Sequence, residues 1–152
     1  MTEEKSKQAE RKKTKVLFVC VGNACRSPMA ESIARSIAAD VIIPSSAGVY
    51  PLGEVPALTR QTLVKNGYPI EGLESKPILR EDWQAAELVI NMSGMDLQRV
   101  FADASKVEDW DVADPYGADP ALYQRIMTEI EGRVRGLAER LRRKQPEKSE
   151  RS

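Results

Sequence analysis

Lys15-Val-Leu-Phe-Val-Cys20-Val-Gly-Asn-Ala-Cys25-Arg-Ser-Pro-Met-Ala-Glu31 is the stretch that decides the fold. Val16 to Val19 form an apolar run with the length and composition of a buried strand. The run ends in Cys20, crosses a short loop holding Gly22 and Asn23, and reaches Arg26 after five intervening residues. Ser27-Pro28 then reads as a helix start, with Ser27 as N-cap and Pro28 at the first helical position. Strand, tight loop and helix aim a row of backbone N–H groups, and the positive end of a helix dipole, at one point. Cys20 stands at the mouth of that cradle, and Arg26 offers a planar fork for two oxygens of a tetrahedral anion. A helix N-terminus and a nearby cation both favour a thiolate, and a thiolate beside a bound phosphate is poised for covalent phosphoryl transfer. Taken singly, a strand-end Cys is a buried small hydrophobe and an Arg before a helix is surface charge. Here the spacing, the glycine, the helix start and the preceding strand all agree on a site.

Outward from this loop, short apolar runs alternate with helical patterns, the signature of a parallel α/β sheet. The patterns predict strands over 15–20, 41–46, 87–92 and 106–110. Helices are expected over 28–39, 56–66 (stopped by Gly67), 94–101 and 120–142. The last has Asp119 as cap, Pro120 as first residue and an apolar stripe of Leu122, Ile126, Ile130, Val134, Leu137 and Leu141. Residues 1–14 and 143–152 are charged and nearly free of large apolar groups, which predicts disordered tails around one domain over 15–142.

The 152 residues carry no net charge, but the charge is unevenly placed. Residues 1–15 hold six Lys/Arg against three Glu, and residues 140–152 six against two, which leaves 11 basic and 18 acidic residues between them. An acidic body is a poor nucleic-acid binder, so no nucleic-acid partner is expected. No stretch resembles a signal peptide or approaches bilayer length, so neither export nor membrane insertion is expected. Two cysteines are too few for a disulfide framework and suit a reducing cytoplasm. Histidine is absent, which excludes Ser-His and Cys-His dyads and any His-ligated metal; no metal or cofactor is expected.

Ligands of open α/β sheets bind beyond the carboxyl ends of the strands. There the Cys20 loop should meet Ser46-Ala47-Gly48-Val49-Tyr50 and the segment Asp111 to Gly117. Without histidine, proton donation to a departing oxygen falls to a carboxylate. Asp114 is the candidate: Pro115 stiffens the chain after it and Tyr116 offers a wall for an aromatic group. Asp-Pro also opens simple turns. Asp111 and Asp119 are rival carboxylates, Asp119 being better explained as a cap. Trp83 and Trp110 read as packing residues.

Cys20-Val-Gly-Asn-Ala-Cys25-Arg26-Ser27-Pro28, the Ser46-Ala47-Gly48 turn and Asp114-Pro115-Tyr116 together resemble the low-molecular-weight protein tyrosine phosphatase family, over about residues 15–142. The resemblance implies a single three-layer domain with a four-stranded parallel sheet and a metal-free, two-step mechanism through a phosphocysteine. Cys20 would be the nucleophile, Arg26 the phosphate fork, and Asp114 the general acid and then the base that activates water. Ser27 would hydrogen-bond the thiolate, and Asn23 would hold the loop in its strained conformation. Val21, Gly22, Ala24 and Cys25 would complete the phosphate loop, with Tyr50 and Tyr116 flanking the pocket. The implied partner is a phosphorylated protein, with phosphotyrosine as the first reading and phosphoarginine as the alternative.

Two positions depart from the tyrosine-phosphatase pattern. Ala24 stands where those enzymes resemble one another in carrying isoleucine and the bacterial arginine phosphatases carry threonine. Gly117 follows Tyr116 where a second aromatic residue is expected, as in the arginine-phosphatase branch. Arsenate reductases share the fold but need a downstream cysteine relay, and Asn91 to Asp96 contains no cysteine. A non-catalytic phosphate-binding or redox-sensing module needs neither nucleophile nor acid. Cys25 has two readings: it resolves an oxidised Cys20 as a disulfide, or it packs behind the loop.

Overall fold

The computed structural model describes residues 12–97 and 104–144. Most of both charged tails, and residues 98–101 of the helix expected over 94–101, lie outside them. Within the described part of that helix, residues 94–97 bend and turn through Gly94 (φ +77°) and form no α-helix.

Four parallel strands stand in the order β2-β1-β3-β4: β1 (Thr14–Cys20), β2 (Ile42–Gly48), β3 (Leu88–Asn91) and β4 (Val107–Asp109). β1 is central and pairs with β2 from Thr14↔Ile42 to Cys20↔Gly48. Its residues 16–20 are all buried because both faces of the sheet are covered. Val16, Phe18 and Cys20 pack with α1 (Arg26–Ile37) and α4 (Pro120–Arg143). Leu17 and Val19 join Ala47, Trp83, Val89 and Leu97 on the opposite face. An alternating strand buried on both sides must be apolar throughout, which is why β1 is so plain in the sequence. β2 lies at the edge, where Pro44 costs no central ladder bond.

α1 begins at Arg26, with Cys25 as its N-cap and no side-chain capping bond. This corrects the expected start: Ser27 is not the cap, and Pro28 is the third helical residue. Proline is still tolerated there because first-turn N–H groups have no partner inside the helix. α2 (Ala57–Lys65) ends before Gly67, whose φ of +84° suits the residue that closes a helix. α3 (Arg80–Ala85) was not expected, being too short to display a helical period. Its Trp83 is buried on the second face of the sheet, and Lys106 lies 5.4 Å over the indole while donating to the Ala86 carbonyl at 2.9 Å.

α4 starts as expected, with the Asp119 carboxylate accepting from the Leu122 amide at 3.0 Å. Its stripe of Ile126, Ile130, Val134, Leu137 and Leu141 is buried against the sheet and α1. Each such side chain contributes about 1.5–3 kcal/mol of burial, so this helix is a principal anchor of the face behind the loop. Near its end Arg142 clamps both Asp40 oxygens, at 2.8 and 2.9 Å.

Candidate active site

The five residues between β1 and α1 turn sharply, and Asn23 takes φ +48°, a left-handed conformation that asparagine tolerates best among residues with a side chain. Its amide is held at three points. Nδ2 donates to Ser27 Oγ at 2.7 Å and to Ser46 Oγ at 3.1 Å, and Oδ1 accepts from the Lys76 N–H at 2.9 Å. The chain after β2 binds the loop's outer edge: the amides of Val49, Tyr50 and Leu52 donate to the carbonyls of Cys20, Val21 and Gly22. Ser75 Oγ also donates to the Gly22 carbonyl, at 2.9 Å. With those carbonyls turned outward, the backbone N–H groups of Gly22 to Cys25 find no protein acceptor among the described residues. Such a row of free amides at a helix start is an anion cradle.

Cys20 Sγ lies 3.0 Å from Ser27 Oγ, and both residues are buried. Arg26 is 6% exposed. Its Nη1 donates to the carbonyls of Met92 (2.5 Å) and Val112 (3.1 Å), and Nη2 lies 3.5 Å from Asp114 Oδ2. Nε is buried and has no hydrogen-bond partner among the described residues, so it is a donor already desolvated. Asp114 is half exposed, and its other oxygen accepts from the Tyr116 N–H at 3.1 Å. Three strand ends therefore meet through one guanidinium. A cavity of about 650 Å³ opens beside Arg26 and Asp114, between residues 91–97 and 107–114.

Cys20, Ser27 and Asn23 thus form one hydrogen-bonded group, and Arg26 and Asp114 form a second. Val21 and Gly22 form the loop with the buried Ala24 and Cys25, and Ala24 joins the core cluster while its carbonyl accepts from Thr59 at 2.8 Å. Tyr50 and Tyr116 are largely exposed, at 69% and 56%. Cys25 Sγ is 3.6 Å from Tyr123 Oη, and burial pushes both groups toward their protonated forms. Those contacts favour the packing reading of Cys25. Sequence reasoning missed the Met92 and Val112 carbonyls and the Lys76 amide, because backbone partners carry no residue signature, and it missed Ser75 and Glu31, side chains without a motif of their own. It also missed why Gly48 is a glycine: a Cβ there would sit 2.8 Å from the Asn23 nitrogen and the Val21 oxygen.

A parallel sheet whose central strand ends in a buried cysteine, with a five-residue loop leading to Arg26 at the start of α1, is the fold of the cysteine-dependent phosphatases. The model of the low molecular weight phosphotyrosine protein phosphatases matches residues 15–147, and the chain belongs to that family. A protein-arginine-phosphatase of Bacillus subtilis (strain 168) is 30% identical over 146 residues, covering 84% of this chain and 97% of its own. A glutaredoxin arsenate reductase of a Synechocystis species is 30% identical over 125 residues, with coverage of 81% and 95%. The structure of a low molecular weight protein tyrosine phosphatase from T. tengcongensis superposes with a TM-score of 0.77 at 34% identity, covering 84% of this chain and 99% of that one. No described helix is long and apolar enough to cross a membrane.

Proposed function

We propose that the chain hydrolyses phosphotyrosine in proteins through a phosphocysteine on Cys20, within a domain spanning 15–142. Cys20 Sγ attacks phosphorus while the ester P–O bond breaks, and the Asp114 carboxyl gives its proton to the departing phenolate. Asp114, now a carboxylate, takes a proton from water as that water attacks phosphorus. The S–P bond breaks, the thiolate returns and inorganic phosphate leaves. Amides 22–25 and Arg26 hold the equatorial oxygens in both steps, where negative charge is spread widest. Val21, Asn23 and Ser27 shape the cradle and steady the sulfur, with Tyr50 and Tyr116 beside the aromatic group. The carrying observation is the Cys20–Ser27 contact at 3.0 Å, together with an Arg26 Nε that is buried with no partner among the described residues. Two thiols within one loop fit a reducing, cytoplasmic setting.

A protein arginine phosphatase is the second reading. Gly117 has φ +83°, where an aromatic residue would be strained, so the wall beyond Tyr116 stays thin. The Bacillus subtilis relative supports the same choice. Arsenate reduction is disfavoured because both cysteines of the chain lie in the loop, leaving no downstream relay.

The test is p-nitrophenyl phosphate turnover in EDTA, followed by kcat/KM on phosphotyrosine and phosphoarginine peptides. Wild type should turn over without metal and prefer phosphotyrosine. Cys20→Ser should abolish turnover yet still bind phosphate, because the hydroxyl stays protonated with no base to activate it. Residual Cys20→Ser activity within about tenfold of wild type overturns the nucleophile assignment.

A further inference from the structure

Glu31 is nine-tenths buried in the first half of α1, where an isolated carboxylate would be costly. Two bonds offset that cost. Arg35 Nη2 lies 2.5 Å from Oε2 one turn along the helix, and Ser46 Oγ lies 2.6 Å from Oε1. Arg35 is itself tied to the Glu71 carbonyl.

We propose that Glu31 is a positioning residue for Cys20, fixing the direction of a line of hydrogen bonds that ends in an O–H offered to the Cys20 sulfur. The inference rests on the reading of Cys20 as nucleophile. A carboxylate only accepts, so the single hydrogen of Ser46 is committed to Glu31 and its oxygen is left to accept. The acceptance is filled by Asn23 Nδ2 at 3.1 Å. The Lys76 N–H on Oδ1 keeps the amide in that orientation, so its second N–H reaches Ser27 Oγ at 2.7 Å. With a lone pair so occupied, the Ser27 hydrogen has two acceptors in reach: Cys20 Sγ at 3.0 Å and the Ala47 carbonyl at 3.5 Å. The sulfur is the nearer. Turning the Ser46 hydrogen toward Asn23 would favour a flipped amide, sacrifice the Lys76 bond and drive the Ser27 hydrogen off the sulfur. Glu31 therefore governs a donor it never touches. Of the described charged groups, Arg35 alone bonds to Glu31, while Arg26 and Asp114 pair with each other and take no part in the line.

Glu31→Gln keeps the shape but lets the side chain donate to Ser46 and turn its hydrogen toward Asn23. Ser46→Ala removes the link. Alkylation of Cys20 by iodoacetamide across pH, followed by peptide mass spectrometry, reads the thiolate directly and needs no phosphatase activity. Each variant should move the alkylation midpoint upward, Glu31→Gln by about one pH unit, because a hydrogen bond to the charged form is lost. The double variant should move no further than the larger single one, since both act through the same line. A Glu31 that is only structural lowers Tm and leaves the midpoint in place, which overturns the proposal, as does an additive double variant. If Glu31→Gln does not fold, Ser46→Ala decides alone, and an unmoved midpoint refutes the proposal. Failure of the nucleophile reading shows separately, as retained turnover in Cys20→Ser.

Discussion

Asp114 divides its two oxygens between the Arg26 guanidinium and the Tyr116 amide, a placement neither rival carboxylate shares. Asp119 spends its side chain on the Leu122 amide, and the contact of Asp111 with Arg133 runs through its backbone carbonyl. Asp114→Asn should slow hydrolysis of a poor leaving group by about 10²–10⁴-fold and have a smaller effect on p-nitrophenyl phosphate, whose oxygen needs less protonation. Steady-state rates on both substrates check this; an equal loss on both, or a comparable loss in Asp111→Asn, would reassign the acid. Ala24 is the residue expected to divide the two substrates. Ala24→Thr should shift kcat/KM toward phosphoarginine and Ala24→Ile toward phosphotyrosine, each by about 10–200-fold. Because Ala24 is buried in the core cluster, added bulk must displace neighbours or project over the cradle. An unchanged substrate ratio in both variants would show that residue 24 only packs.

At the scale of elements, the loop owes its shape to what leans on it. Gly48 ends β2 so close to Asn23 and Val21 that the first carbon of any side chain meets backbone at 2.8 Å. Gly48→Ala should therefore cost about 1–3 kcal/mol by overpacking and also weaken phosphate binding, since the backbone it displaces carries the cradle. Thermal unfolding and phosphate titration together test this, and a variant that loses stability but keeps its phosphate affinity would refute the second half. β1 was legible because burial on both faces makes it apolar throughout, α4 because its buried stripe keeps a helical period, and the cysteine loop because its chemistry is concentrated in eight positions from Cys20 to Ser27. What stayed hidden has physical reasons. Six-residue α3 is shorter than two helical periods. Ser27 looked like a cap because a serine before Pro28 fits that pattern, and only the three-dimensional approach of Cys20 and Asn23 redirects its hydroxyl. The Ser75-Lys76 brace acts largely through backbone atoms, which every residue possesses.

Across the whole molecule, α4 is tied to the rest of the fold by polar contacts that respond to alkali. The Tyr68 hydroxyl donates to Glu131, and burial together with that carboxylate pushes Tyr68 up to about 12 from an ordinary 10.0. The folded protein holds this proton more tightly than the unfolded chain. Its stabilisation is complete below the unfolded value and disappears as pH rises through about 12. Tm should fall less steeply over that window in Tyr68→Phe than in wild type; parallel curves would mean that the tyrosine titrates freely. Arg26 joins the whole molecule in another way. Its guanidinium is bonded to the carbonyl of a residue 86 positions later in the chain. On the ribosome, Cys20 and Arg26 precede everything that holds the guanidinium: the Met92 carbonyl follows β3, and the Val112 carbonyl comes only after β4 has emerged. A nascent chain arrested before Val112 would carry every residue of the cysteine loop without its completed anchorage, so the competence to take a phosphate waits on the synthesis of a distant strand end.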